Sequence, residues 1–293
     1  MIVLEVVFLA IFWAWVGSAL LFLRNTLLPR LAMIRTPALL HLPSETVHFE
    51  ATDGVRLEGW KISADPNRPW IILCHGMGSN RSDLLDVASG LHKARFNLPL
   101  FDFRGHGGSD GRTTSFGWQE QRDLEGALAF LGQQPDVPAR PCGVYGISMG
   151  GSVALMVAAR DERLGAVVVD SVYTNLEESI ERHLRLMYPF MPRVPFLWFV
   201  LSTYRFRFGV WPRRISPLES ASRLGSRPFL AIQGAADPRL PLEGAERLAA
   251  ESKSGELWVV EGAGHLEALA LDPAAYVLRV TNVFTSSLQE PSP

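Results

Sequence analysis

The stretch Cys142-Gly143-Val144-Tyr145-Gly146-Ile147-Ser148-Met149-Gly150 decides how this chain is read. An apolar run of strand character ends in the pattern G-x-S-x-G, and a helical stretch opens at Met149. A serine on so tight a strand-to-helix turn needs neighbours without side chains, so that its hydroxyl projects above the sheet edge. Glycine and serine are common, so the pentapeptide alone is weak; its place between a strand and a helix makes it specific.

Outward from this turn, short apolar runs recur at 70–74, 98–103, 166–169, 229–232 and 257–260. Runs of this length without polar alternation suit parallel strands buried on both faces. Amphipathic stretches at 82–95, 118–133, 149–160, 241–252 and 266–287 lie between and after them. The alternation predicts an α/β fold, a mostly parallel sheet flanked by helices. Asp53-Gly54 marks a hairpin turn between strands at 47–52 and 57–63.

Three further residues fall just past strand ends, where open α/β sheets build their sites. His75-Gly76-Met77-Gly78 follows the run Trp70-Ile71-Ile72-Leu73-Cys74. In the nucleophile-elbow architecture this loop gives one backbone N–H of an oxyanion hole and the residue after the serine gives the other, which selects Met77 and Met149. Asp237 follows Ile232-Gln233-Gly234, and His265 follows Val260-Glu261-Gly262-Ala263-Gly264. The order Ser148, Asp237, His265 suits a nucleophile, an orienting acid and a general base. Asp170, ending the run Val167-Val168-Val169, is the rival acid and reads as a structural strand-end residue.

On these residues the chain resembles the α/β-hydrolase superfamily over roughly residues 45–288. The carrying segments are Glu50–Trp60, H-G-M-G at 75–78, D-F-R-G-H-G-G-S-D-G at 102–111, G-I-S-M-G-G at 146–151, G-A-A-D-P at 234–238 and G-A-G-H at 262–265. It is most similar to the membrane-anchored serine hydrolases of the BEM46-like group and to S9/S33-type bacterial relatives. The resemblance implies ester, thioester or amide hydrolysis without a cofactor. It also implies that His75, Asp102, Arg104 and His106 brace loops rather than react.

Twenty-eight basic against thirty acidic residues leave a net charge of −2, which offers no field for gripping nucleic acid. Cys74 and Cys142 sit in apolar runs and read as buried thiols, not as a disulfide framework or a metal site. His41, His48, His92 and His183 show no ligand spacing, so no metal is expected.

The N-terminus carries its own expectation. Residues 2–23 hold one charge, Glu5, and a helix of that length at about 1.5 Å per residue matches the roughly 30 Å hydrocarbon layer. A cleaved signal peptide would need a basic leading region and a shorter apolar run. A helix buried in the core is the third reading. The expected organisation is a transmembrane anchor at 1–24, a linker at 25–43 broken by Leu28-Pro29, and the hydrolase domain at 44–288 ending in a frayed Pro291-Ser292-Pro293. Arg24, Arg30 and Arg35 follow the span, which by the positive-inside rule places a single-pass protein's domain on the cytoplasmic side.

The 57 residues 171–227 exceed an ordinary crossover and predict a cap over one edge of the sheet. They carry nine Arg, no Lys and four Glu, with nine aromatics between Tyr188 and Trp211. Either this cap meets an anionic membrane surface, or its aromatics pack over the site and its arginines are solvated. Pro192, Pro195, Arg205 and Arg207 argue against a second span. The expectation is a serine hydrolase acting on a small-molecule or lipid ester or thioester with an apolar acyl group. The alternatives are a serine peptidase of prolyl-oligopeptidase-like ancestry and a non-catalytic membrane scaffold. Acyl length, head group and oligomeric state are not written in the sequence.

Overall fold

A computed structural model describes residues 2–27, 30–137, 141–190 and 193–288. The expected Leu28-Pro29 break, Pro192 and the terminal Pro291-Ser292-Pro293 lie outside these residues. Helix α1 (Ile2–Thr26) precedes the sheet. Strands β1 (Ser44–Glu50) and β2 (Arg56–Ile62) pair antiparallel about the Asp53-Gly54 turn, where Gly54 takes φ +82°. Strand–helix alternation follows through β3 (Ile71–Cys74), α2 (Leu85–Lys93), β4 (Leu98–Phe101), α3 (Glu120–Gly132), β5 (Cys142–Ile147), α4 (Met149–Ala158) and β6 (Leu164–Asp170). Helices α5 (Leu176–Met187), α6 (Arg193–Phe208) and α7 (Pro217–Ala221) intervene before β7 (Phe229–Gly234) and α8 (Leu242–Glu251). The chain closes with β8 (Gly255–Val260), α9 (Ala268–Leu271) and α10 (Pro273–Leu288).

The eight strands form one sheet in the order β1-β2-β4-β3-β5-β6-β7-β8. β2 meets β4 antiparallel, and every pairing from β4 to β8 is parallel. The mostly parallel sheet expected from the sequence is therefore present. Alternate side chains of one strand serve opposite layers. Ile72, Cys74, Val144, Val167 and Val169 pack toward α3, α4, α7 and α8, while Ile71, Leu73, Tyr145, Ala166 and Val168 pack toward α2 and α10. Both cysteines are free and buried.

The N-terminal expectation needs correction. Residues 2–26 are helical, but among the described residues no helix is long and apolar enough to cross a membrane. One face of α1 packs on the domain instead. Ser18, Phe22 and Thr26, spaced four apart on one stripe, are 4%, 6% and 1% exposed. Phe22 packs edge-on against Tyr204 of α6 and beside Phe116. The Thr114 N–H donates to the Thr26 carbonyl at 3.1 Å. Beyond the helix, the Arg30 guanidinium donates to the carbonyls of Gly107 and Gly111 at 3.0 and 2.7 Å. The end of α1 is thus part of the folded domain, although Leu9, Phe12, Trp13 and Trp15 at its other end stay exposed.

The segment between β6 and β7 divides its aromatics. Phe196, Phe199, Tyr204 and Phe208 are buried, whereas Phe190, Trp198 and Phe206 are exposed. Glu181 pairs with Arg185 and Arg193 at the surface. The short α7 packs with α4 and α8 in the helical layer on the sheet.

Because Phe22 fills a buried position between α1 and α6, Phe22→Ala is expected to destabilise the protein by about 3 kcal/mol. Denaturant unfolding checks this; an unchanged midpoint would show that α1 is not packed on the domain.

Candidate active site

The turn between β5 and α4 is held by contacts that exclude side chains. A Cβ on Gly146 would lie 2.6 Å from the backbone of Gly150, and one on Gly150 would lie 2.4 Å from the carbonyls of Cys74 and His75. Ser148 between them is forced to φ +49°, a left-handed value that a serine adopts only under constraint. Its N–H donates to the Asp170 carbonyl at 2.8 Å, which ties the turn to the end of β6. Its hydroxyl makes no capping bond to α4 and is directed elsewhere.

That direction is His265. The Ser148 hydroxyl lies 3.3 Å from Nε2 of His265, whose Nδ1 lies 2.8 Å from Oδ2 of Asp237. Three side chains from three strand ends thus form one chain. The Asp237 carboxylate fixes the imidazole as the tautomer that donates from Nδ1 and accepts at Nε2. Asp237 also accepts from the N–H groups of Arg239 and Leu240 at 2.8 and 3.0 Å and from the Gln233 amide at 3.2 Å. Burial pushes its pKa up, but the His265 bond and these backbone donors outweigh it and hold the carboxyl below its usual value.

The loop after β3 stands beside the serine. A Cβ on Gly76 would lie 3.5 Å from the Ser148 Cβ, so Met77 follows directly next to the nucleophile position. Met149, the other expected oxyanion donor, is the first residue of α4, where N–H groups have no partner within the helix. Two histidines hold this loop. His75 donates from Nδ1 to the Gly76 carbonyl at 2.7 Å and accepts the Phe103 N–H at Nε2 at 3.0 Å. His106 accepts the Gly78 N–H at 3.1 Å and donates to the Arg104 carbonyl at 2.9 Å. Asp102 accepts the N–H groups of Arg81 and Gly108 and pairs with the Arg81 guanidinium, which also reaches Glu58. Arg104 bridges Asp53 and Asp123. All four residues expected to brace loops are therefore engaged in loop contacts.

With this geometry stand the relatives. The model of the alpha/beta hydrolase family matches residues 71–280. The chain belongs to that family. An uncharacterised Mycobacterium tuberculosis protein is 31% identical over 231 residues, covering 77% of this chain and 74% of that protein. The polyketide transferase grgF of Penicillium sp. is 31% identical over 130 residues, 43% of this chain and 44% of that one. Among solved structures, the Pyrococcus furiosus esterase Pf2001 superposes with a TM-score of 0.73 at 26% identity, covering 89% of this chain and all of that one. These matches reach the family and its esterase members, not the BEM46-like subgroup.

Asp170 in this hydrolase does not meet His265 through its carboxylate. Its Oδ2 accepts from the Tyr276 hydroxyl at 2.7 Å and its Oδ1 from the Ser171 hydroxyl at 2.8 Å. Tyr276 in turn shares a 2.8 Å hydrogen bond with Tyr145. Ser171 accepts the Leu266 N–H at 3.4 Å, one residue beyond His265. Burial pushes the Asp170 pKa up, and the bonds from Tyr276 and Ser171 oppose that push. This buried relay props the loop of His265, and sequence reasoning missed Ser171, Tyr145 and Tyr276. The available signal was a polar Asp170-Ser171 pair closing an apolar strand.

Burial first, then His106 and Arg81, holds the His75 imidazole well below its usual value of 6.5. The unfolded chain then binds the proton that the folded one refuses, so stability falls as pH drops below about 6.5. Denaturation midpoints measured from about pH 7.5 to about pH 5 should show this slope, and His75→Gln should reduce it. An identical slope in the variant would remove His75 as its source.

Proposed function

We propose that this hydrolase is a serine hydrolase that cleaves an ester or thioester with an apolar acyl group. The observation that carries the reading is the continuous Ser148–His265–Asp237 chain, with links of 3.3 and 2.8 Å. The likeness to a protein called an esterase supports it.

In the first half-reaction His265 Nε2 takes the proton as Ser148 Oγ attacks the acyl carbonyl carbon. The tetrahedral oxyanion is received by the N–H groups of Met77 and Met149, the latter at the positive end of the α4 dipole. His265 returns the proton to the leaving alcohol or thiol, and the acyl group remains on Ser148. Water, deprotonated by His265, then releases the carboxylic acid. Asp237 holds the imidazole tautomer and stabilises its charged form. Its depressed pKa keeps it ionised for that task at neutral pH. The Penicillium relative is named a transferase, so an acceptor other than water is the second outcome that product analysis should distinguish.

A fluorophosphonate probe is expected to label the wild type and not Ser148→Ala. Asp237→Asn is expected to lower kcat on a p-nitrophenyl ester by roughly 10³- to 10⁴-fold, through loss of the productive tautomer. Asp170→Asn leaves that tautomer in place and should fall short of this loss. Labelling that persists without Ser148, or a larger loss at Asp170 than at Asp237, would overturn the assignment.

A further inference from the structure

A cavity of about 500 Å³ opens between the end of α1, helix α5 and the loop after β3. Phe22 and Leu27 line it from the N-terminal side, Ile180 and Leu184 from α5, and Met77 and Phe116 from the loops beside the nucleophile. Its wall is mainly apolar, with Arg24 and His183 among the polar exceptions, and its size suits a small ligand. We propose that this cavity receives the acyl chain of the substrate and that α1 is the wall that sets which chain length fits. The inference rests on the serine-hydrolase reading and adds a location and a specificity element to it.

Two features connect the cavity to the reacting centre. Met77 lines it, and Met77 follows Gly76, whose Cα faces the Ser148 Cβ. Met77 is thus the residue shared by the cavity wall and the loop beside Ser148. The loop carrying Phe116 makes the second connection. Thr114 donates through its hydroxyl to the Met149 sulfur at 3.5 Å and through its N–H to the Thr26 carbonyl at 3.1 Å. One loop thus touches the residue after the nucleophile and the end of α1. Tyr204 of α6 donates to the Ser115 carbonyl at 2.8 Å, and Tyr173 to the Phe116 carbonyl at 2.7 Å, fixing Phe116 in the wall.

An extended aliphatic chain is the occupant this lining favours. Each methylene withdrawn from water into such a wall contributes about 0.8 kcal/mol, which is about fourfold in affinity. A branched polar group would leave its hydrogen-bonding atoms facing Phe22, Phe116 and Leu184 without partners. Ser18 on α1, which borders the cavity and donates to the Ala14 carbonyl at 2.7 Å, is the position from which a larger side chain intrudes.

The test compares kcat/KM for p-nitrophenyl octanoate with that for p-nitrophenyl acetate. In the full-length wild type the ratio should exceed one. Ser18→Phe, from the α1 side, and Leu184→Trp, from the α5 side, should each lower it about fifteenfold, as expected from displacing two methylenes. Two walls are probed because either variant alone could disturb folding; thermal unfolding verifies each. A ratio unchanged in both folded variants, while turnover still depends on Ser148, overturns the acyl-chain assignment and leaves the serine-hydrolase reading standing. Absence of any Ser148-dependent ester turnover or fluorophosphonate labelling in wild type removes that reading and the inference with it.

Discussion

The contact of Gly150 with the carbonyls of Cys74 and His75 is the constraint on which the site depends. It brings the start of α4 onto the end of β3, so close that no Cβ fits between them. That approach leaves Ser148 at φ +49° and raises its side chain off the sheet. The same approach sets the loop after β3, and with it Met77, beside the serine. Ser148, Met149 and the loop bearing Met77 are therefore placed together by the packing of the start of α4 on the end of β3. The conformational strain at Ser148 persists because β5, β6 and α4 determine the backbone on either side.

Around this point polar contacts are arranged by distance from the chemistry. Asp237 and His265 share one direct bond, and Asp237 is itself held by backbone donors. A wider ring of His75, His106, Asp102 and Arg81 fixes the loop after β3, and these groups are buried. Buried polar groups of this kind are costly unless fully partnered, so they specify one loop conformation instead of several. The imidazoles of His75 and His106 each link two backbone groups and so pin the loop after β3.

The sheet and the three site side chains were legible because each announces itself locally. Short apolar runs mark buried strands, and Ser148, Asp237 and His265 each fall within a few residues of such a run's end. The fate of the N-terminal segment was not legible in that way. Hydropathy registers that Val6, Trp13 and Phe22 are apolar, but not that Phe22 has Tyr204 as a neighbour. The clue was periodic: Ser18, Phe22 and Thr26 recur every four residues, two of them polar on what became the buried stripe. The Asp170 relay was hidden for a different reason. Tyr276 lies 106 residues further along the chain, and only the packing of α10 under the sheet brings its hydroxyl to that carboxylate.

That relay makes the loop of His265 depend on a helix far from the Ser148 turn in sequence. The turn at Ser148 is built from β3, β5 and α4, all of which precede α10 in the chain. Tyr276 sits in the first turn of that last helix, and through Asp170 and Ser171 it props the loop that presents His265. The contacts that fix the Ser148 turn involve no residue of α10, whereas the prop on the loop of His265 does. The site region is thus held from two distant places along the chain, the Ser148 turn near its middle and Tyr276 in α10.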